Sequence, residues 1–212
     1  MKANINTLSA FLIVVLTFLL SLSSCGVEFG SDDNGNGGGG GVSTVEGNIE
    51  EIIPTMSVEG ILVQIMENTT FFDETDQTGS FTIEGDFSGS QTLEFLDAND
   101  MVFARFNIIV PSGGSIKLEN ITIDDGVVEP ERIEETFEGE ITSLNCTANN
   151  SGNLVVSVGD DNFTVVINSG TDIEDEDGDD LSGGCNDLAV TNNIEVEGVL
   201  EGGQIVADRI TR

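Results

Sequence analysis

The sequence predicts an all-β protein in which a small β-sandwich is followed by a small β-barrel. From Thr44 onward, short apolar runs alternate with polar residues and are separated by clusters of Gly, Asn and Asp, which is the pattern of half-buried strands joined by turns. Beyond the first 24 residues, no stretch shows a sustained helical period. Many short strands with turn signals between them are typical of sandwiches and barrels.

The first 24 residues are predicted to be a signal peptide. Lys2 precedes an apolar run from Ala10 to Leu20, which is shorter than the stretch of about 20 residues that a transmembrane helix requires. Small residues follow the run, and the segment ends in "LSSC", with Leu22 three positions before Cys25.

This "LSSC" segment resembles the lipobox of bacterial lipoproteins. The resemblance implies cleavage before Cys25 and lipidation of its thiol and of its new amino group, and two or more acyl chains give stable membrane anchoring. Gly26 follows the cysteine, which by analogy with Gram-negative lipoproteins permits sorting to the outer membrane. The alternative is an ordinary secretory signal beside an unrelated cysteine. We therefore expect a lipid-anchored protein of the bacterial cell envelope, in the outer membrane.

Residues 25–43 are predicted to form a flexible tether. Between Gly26 and Gly41, eight of the sixteen residues are glycine, and a glycine-rich chain of this length has a root-mean-square reach of roughly 20–25 Å. Such a tether would hold the folded part of the chain away from the membrane surface.

The net charge restricts the partners that the protein can have. The chain has 39 Asp and Glu residues against 6 Lys and Arg, and its formal charge is −33, so it repels phosphates and anionic lipid head groups. Nucleic acid is therefore not expected as a partner. We expect contact with the membrane through the lipid anchor, and with an envelope protein or a glycan whose identity the sequence does not give.

Residues 44–124 contain the strands expected for the sandwich. The segments "VEGNI", "GILVQI" and "TDQTGSFTIEG" resemble the carboxypeptidase-regulatory-like group of β-sandwich modules, which implies a role as a spacer. In the third segment, Asp76 is expected to accept hydrogen bonds from the turn's backbone, Gly79 to take a positive φ, and Phe81 to enter the core.

Residues 125–135 are acidic and contain Pro130, and they are predicted to form a linker. Residues 136–212 form the second predicted domain. Its ending, "NNIEVEGVLEGGQIVADRITR", resembles a family of small bacterial exported domains of unknown function that are expected to form an OB-like barrel. This resemblance implies no activity, although OB-like barrels in general bind ligands across an exposed sheet face and its loops.

An apolar-Glu-Gly tripeptide recurs along the chain at irregular spacing. In a strand, the apolar residue points inward and the Glu points outward, and the Gly then permits a bulge or a bend. These tripeptides are therefore predicted to curve the strands that contain them. They occupy residues 45–47, 58–60, 83–85, 137–139 and 196–198.

Cys146 and Cys185 are predicted to form a disulfide. They are the only cysteines other than Cys25, and an exported protein meets an oxidising compartment in which paired cysteines normally become bridged. Closing a loop of about 39 residues stabilises a fold by about 4 kcal/mol in the chain-entropy model. A zinc site is not expected, because the chain has no His and the two thiols are far apart in sequence.

The run "DIEDEDGDDLSGGC", Asp172–Cys185, predicts either a calcium loop or a solvated turn. It is not an EF-hand loop, because Ile173 occupies the first ligand position and Gly184 the last. Clustered carboxylates can bind calcium without that motif, so both interpretations stay open. The candidate ligands are Asp172, Glu174, Asp175, Asp177, Asp179 and Asp180.

No catalytic residue is predicted. The chain has no His, the two remaining cysteines are expected to be bridged, and no Ser lies beside a plausible base. Paired carboxylates hydrolyse glycosides, but sugar sites usually use aromatic platforms, and Phe is the only aromatic residue type present. We expect a non-catalytic binding, adhesion or structural module without a cofactor. A calcium-stabilised or cation-binding envelope protein is the alternative.

Overall fold

The structure, a computed structural model, describes residues 41–54, 56–147 and 151–212. The predicted signal peptide (1–24), the lipidation site Cys25 and most of the predicted tether (25–43) lie outside these residues. The described part belongs to one compact unit, Gly37–Arg212. None of its helices is long and apolar enough to cross a membrane.

The all-β prediction is confirmed, since thirteen strands and one short 3₁₀ helix, Gly184–Asp187, make up the described secondary structure. Burial alternates along the strands as the sequence pattern requires. In β10, for example, Phe163, Val165 and Ile167 are buried and the intervening residues are not. The strands are β1 (Ser43–Ile53), β2 (Leu62–Ile65), β3 (Phe72–Glu74), β4 (Ser80–Gly85), β5 (Gly89–Leu96), β6 (Val102–Val110), β7 (Ser115–Asp124), β8 (Val127–Cys146), β9 (Gly152–Val158), β10 (Asp161–Ile167), β11 (Asp172–Glu174), β12 (Asn193–Glu201) and β13 (Gln204–Thr211).

The first seven strands and the beginning of β8 form two sheets. One has the order β4-β1-β7-β8, in which β1 and β7 are parallel, and the other has the order β3-β2-β5-β6. Side chains from both sheets share one hydrophobic core, which supplies the burial that neither sheet has alone. Its largest fully buried members include Phe95, Ile49, Ile65, Ile83, Leu93 and Leu118.

The remaining strands close into a ring around a second hydrophobic core. The pairings run β8-β9-β10-β13-β12 and return to β8. The β10–β13 pair is parallel and the other four are antiparallel. A closed ring leaves no free edge among its five strands. The largest fully buried side chains of its core are Phe137, Ile141 and Leu154.

The stretch 125–135, predicted as a linker, is instead a turn followed by the first half of β8. From Val127 to Thr136 the strand pairs with β7, and from Glu134 onward it also pairs with β12 and then with β9. This segment has the acidic composition of a solvated linker because one face of this half of β8 is exposed to solvent. A single 20-residue strand therefore belongs to both cores.

The turn predicted within Thr75–Gly85 is confirmed. The Asp76 Oδ1 atom accepts hydrogen bonds from the Thr78 N–H (2.7 Å) and from the Ser80 N–H (3.0 Å). Gly79 has a φ of 78°, a left-handed conformation that favours glycine. Phe81 is buried in the first core.

The glycines of the apolar-Glu-Gly tripeptides act in more than one way. The prediction is wrong for residues 58–60, which lie in a turn and not in a strand, with Gly60 at a φ of 80°. Strand register shifts beside Gly47 and at Gly198, so the predicted bulges are confirmed there. At Gly139 the cause is instead a close approach of neighbouring strands. A Cβ atom at Gly139 would lie 2.5 Å from the carbonyl oxygen of Ser157, a separation that real side chains do not reach.

Candidate functional site

A groove of about 1160 Å³ lies where the two-sheet part of the fold meets the strand ring. Its walls come from the start of β1, the β6–β7 turn, the middle of β8, the β9–β10 turn and β12. Grooves of this kind, at the junction of two structural layers, are preferred ligand sites in proteins. This one was not predicted from the sequence.

The β6–β7 turn is fixed against the rest of the groove by backbone contacts. Ser43 is fully buried and its Oγ accepts a hydrogen bond from the Gly113 N–H (3.1 Å). The Thr44 N–H donates to the Gly114 carbonyl oxygen (3.0 Å). A Cβ atom on Gly114 would lie 2.6 Å from the carbonyl oxygen of Thr136, so glycine lets the turn touch β8.

Five carboxylates line the groove, and none of its described lining residues is Lys or Arg. Glu138 on β8 lies directly opposite Glu195 on β12 in the strand register. Residues two apart on a strand point to the same face, so Glu140 extends the row along β8. Like charges directly opposite each other destabilise a sheet. We call this site the acidic groove, and its carboxylates are Glu138, Glu140, Asp160, Asp161 and Glu195.

The basic side chains of the described residues are engaged elsewhere. Four of them form ion pairs, and Arg212 donates a hydrogen bond to the Asp187 carbonyl oxygen (2.6 Å). None of these five residues lines the acidic groove, although Arg209 interacts electrostatically with Glu195 at its edge. The four pairs are Arg105–Glu94, Lys117–Glu119, Arg132–Glu134 and Arg209–Glu197.

Glu94 is a buried carboxylate whose partners belong to the fold itself. It lies on β5 in register with Gln64 on β2 and Arg105 on β6. Its oxygens accept hydrogen bonds from the Gln64 Nε2 (2.9 Å) and from the Arg105 Nε and Nη2 (2.9 and 2.8 Å). The Gln64 bond and then the Arg105 bonds hold the pKa of Glu94 below its usual value. This row of cross-strand hydrogen bonds stabilises the sheet.

Glu135 is also a buried carboxylate, but unlike Glu94 it has an oxygen without a hydrogen-bond partner among the described residues. It was not predicted from the sequence. Only 3% of the residue is exposed, and its Oε2 has no hydrogen-bond partner among the described residues. It follows Ile133 and precedes Phe137 on the inward face of β8, between the two cores. Burial raises the pKa of the Glu135 carboxyl to about 7. The alternation Ile133, Glu135, Phe137 was the signal that could have revealed it.

The acidic loop 172–185 does not bring its carboxylates to a common point. In the described part of the chain, no three His, Cys, Asp or Glu side chains are placed to hold a metal ion. Asp175 Oδ1 accepts hydrogen bonds from the Asp177 and Asp179 N–H groups, both at 3.0 Å. Glu174 lies 3.6 Å from the Arg209 Nε. The geometry is that of a hydrogen-bonded turn beside β13.

We expect calcium to have no specific effect on stability. With about 5 mM calcium, the unfolding midpoint should equal that in magnesium at the same concentration, because both ions screen the net charge equally while a specific site would stabilise the folded state further. Thermal unfolding in calcium, magnesium and EDTA measures this. A midpoint higher in calcium than in magnesium, and lowered to the magnesium value by Asp175→Asn, would establish a calcium site.

The predicted disulfide is confirmed. The sulfur atoms of Cys146 and Cys185 are 2.08 Å apart, and the bridge joins the end of β8 to the short 3₁₀ helix. Cys185 is fully buried in the second core, and Leu188 beside it is buried as well. The bridge therefore ties the acidic loop to the strand ring.

The protein is all-β: two packed sheets and a closed five-strand ring share β8. Residues 138–211, about a third of the chain, match the model of a family described as a domain of unknown function, DUF5666. This match covers nearly all of the strand ring. It confirms, at the level of a domain of unknown function, the resemblance predicted for residues 136–212. No curated protein matches the chain.

Proposed function

We propose that this protein is a non-catalytic binding module of the bacterial cell envelope, held to the membrane by lipid on Cys25. The observation that carries the binding role is the acidic groove. It is wide, its walls are held by hydrogen bonds, and no Lys or Arg is among its described lining residues. The "LSSC" segment supports the anchor.

The chemistry available at the groove favours binding over catalysis. The chain has no His, and the thiols of Cys146 and Cys185 are joined, so the groove has neither an imidazole base nor a free thiol from these cysteines. Its Ser and Thr side chains come from turns and strand faces and have no such base beside them. Adhesion or a spacer role would also suit an exported chain of this kind, but neither requires a charged groove.

We propose further that the first half is a carboxypeptidase-regulatory-like sandwich and the second an OB-like barrel. The Asp76 turn and the two packed sheets support the first assignment. The closed five-strand ring supports the second, because an OB fold is a five-stranded barrel. The acidic groove lies beside β8 and β12, and its charge suits a cationic partner rather than nucleic acid.

The anchor is tested by Cys25→Ala. We expect this variant to remain unprocessed or to leave the membrane fraction, because it has no thiol to acylate. Ser24→Ala is the matched control: it keeps the cysteine and a small neighbour, so it should fractionate with the membrane like the original protein. Membrane fractionation and the mass of the mature N-terminus measure both variants. Unchanged membrane retention of Cys25→Ala would contradict the anchor.

A further inference from the structure

We propose that the acidic groove binds an extended polypeptide segment rich in lysine or arginine. The inference rests on the proposed function, because it names the partner class for the same groove. It is independent of the lipid anchor, since the groove lies in the described, folded unit. Four features of the groove support it: the charge pair across β8 and β12, the spacing of the carboxylates, the absence of stacking surfaces and the backbone of the walls.

The charge pair provides a driving force for a cationic partner. Glu138 and Glu195 lie directly opposite on neighbouring strands, where Cβ atoms are about 4.5–5.5 Å apart and like charges repel. Arg209, which forms an ion pair with Glu197, also interacts with Glu195, but no Lys or Arg is among the described residues that line the groove itself. A bound ammonium or guanidinium group would offset the repulsion between Glu138 and Glu195. The groove therefore attracts a partner that carries such groups.

The spacing of the carboxylates matches an extended chain rather than a single ion. Glu138 and Glu140 share one face of β8 two residues apart, which corresponds to about 6.6–6.8 Å along a strand. Side chains on one face of an extended peptide have the same spacing. The carboxylates are not close enough to hold one metal ion, so a ligand with positive charges distributed along a chain fits them better.

The surface of the groove disfavours a neutral glycan. Phe137 is the only aromatic residue among the described residues that line the groove, and it is only 2% exposed. The ring is therefore not available as a stacking platform. The exposed residues Gly113 and Gly159 line the groove together with Ser and Thr residues. Apart from the Gly113 N–H, which donates to Ser43, backbone and hydroxyl groups of this kind can hydrogen-bond a peptide backbone.

Binding of two labelled octapeptides by the full-length protein tests the proposal. One peptide alternates Lys and Ser, and the other has four Lys followed by four Ser, so that the charge is equal and only the spacing differs. We expect the alternating peptide to bind roughly five-fold more tightly or better, with an affinity that falls as salt rises. Fluorescence anisotropy at about 50 mM and 150 mM salt measures both peptides.

Two double variants with equal net charge locate the site. Glu138→Gln/Glu195→Gln should weaken binding of the alternating peptide roughly five-fold or more. Glu84→Gln/Glu129→Gln, which alters exposed residues of the two-sheet part, should change it less than about two-fold. The groove variant should also be at least as stable as the original, since it removes a repulsion.

Equal weakening by the two double variants would overturn the proposal, because binding would then follow net charge and not the groove. Equal affinity for the two peptides would overturn the extended geometry, and no measurable binding of either would overturn the basic partner. None of these outcomes bears on Cys25, and membrane fractionation tests that part of the proposed function separately.

Discussion

Glu135→Gln is expected to stabilise the protein relative to the original chain above pH 7 and to lose that advantage as the pH falls toward 4. In the folded protein, burial raises the pKa of this carboxyl to about 7, whereas an unfolded chain has a Glu pKa of about 4.3. The neutral acid is therefore favoured by folding. Its stabilisation is fully present below pH 4.3 and is lost as the pH rises through about 7.

The size of the effect follows from the difference between the two pKa values. A shift of this size corresponds to about 3 kcal/mol at pH 8, which is roughly 6–12 °C in the unfolding midpoint for a unit of this length. On the inward face of β8, the residues around Glu135 are uncharged. Its cross-strand partners are Ile116 and Gly198, and Ile133 and Phe137 flank it along β8.

The difference between variant and original, measured from pH 4 to pH 9, isolates this carboxyl from the other acidic residues. A buried Gln amide adds a cost of its own, but that cost does not change with pH, so the slope is the decisive quantity. Glu129→Gln, an exposed position on the same strand, is the control and should give a flat difference between pH 5 and 8. A flat difference for Glu135→Gln would show that the carboxyl is ionised and solvated in the folded protein.

Removal of the Cys146–Cys185 bridge is expected to lower the free energy of unfolding by about 4 kcal/mol. The bridge closes a loop of 39 residues, and opening it returns that conformational freedom to the unfolded chain. The loop contains β9, β10 and β11, so the loss falls on the strand ring and its acidic loop. The Cys146→Ser/Cys185→Ser double variant avoids leaving a single free thiol in the core.

Urea unfolding of the purified protein with and without a reductant measures the contribution of the bridge. The double variant serves as control, because a reductant should not change it further. A reductant effect below about 1 kcal/mol in the original protein would contradict the chain-entropy argument. Alkylation of both cysteines in the native protein without a reductant would contradict the bridge itself.

Most features that the sequence predicted depend on neighbouring residues, and the disulfide between distant cysteines is the exception. The Asp76 turn and Gly79 act within a few positions, and strand alternation is a local pattern as well. The disulfide needed only a cysteine count and the inferred compartment. The strand ring was predicted through a resemblance of its last two strands, which pair directly with each other.

The features that the sequence did not predict depend on pairing between distant segments. The sequence predicts a linker over residues 125–135 because their charges suggest solvent exposure, yet β7 and β12 pair with this segment. The acidic groove needs the β6–β7 turn to meet the β9–β10 turn, where a Cβ atom on Gly159 would lie 3.4 Å from the Ser112 Cβ. The alternation Ile133, Glu135, Phe137 indicates an inward-facing Glu135, but its burial depends on the two cores that β8 joins.

Binding of a basic peptide in the acidic groove is tested most directly by a nuclear magnetic resonance titration of the isotope-labelled protein with the alternating Lys-Ser peptide. We expect amide shifts to concentrate at the acidic groove, at Gly113, Gly139, Gly159 and Glu195, and to saturate together with one affinity. Shifts of equal size at the acidic loop 172–180 and at the turn 73–77 would contradict it, because binding would then follow the overall negative charge and not the groove.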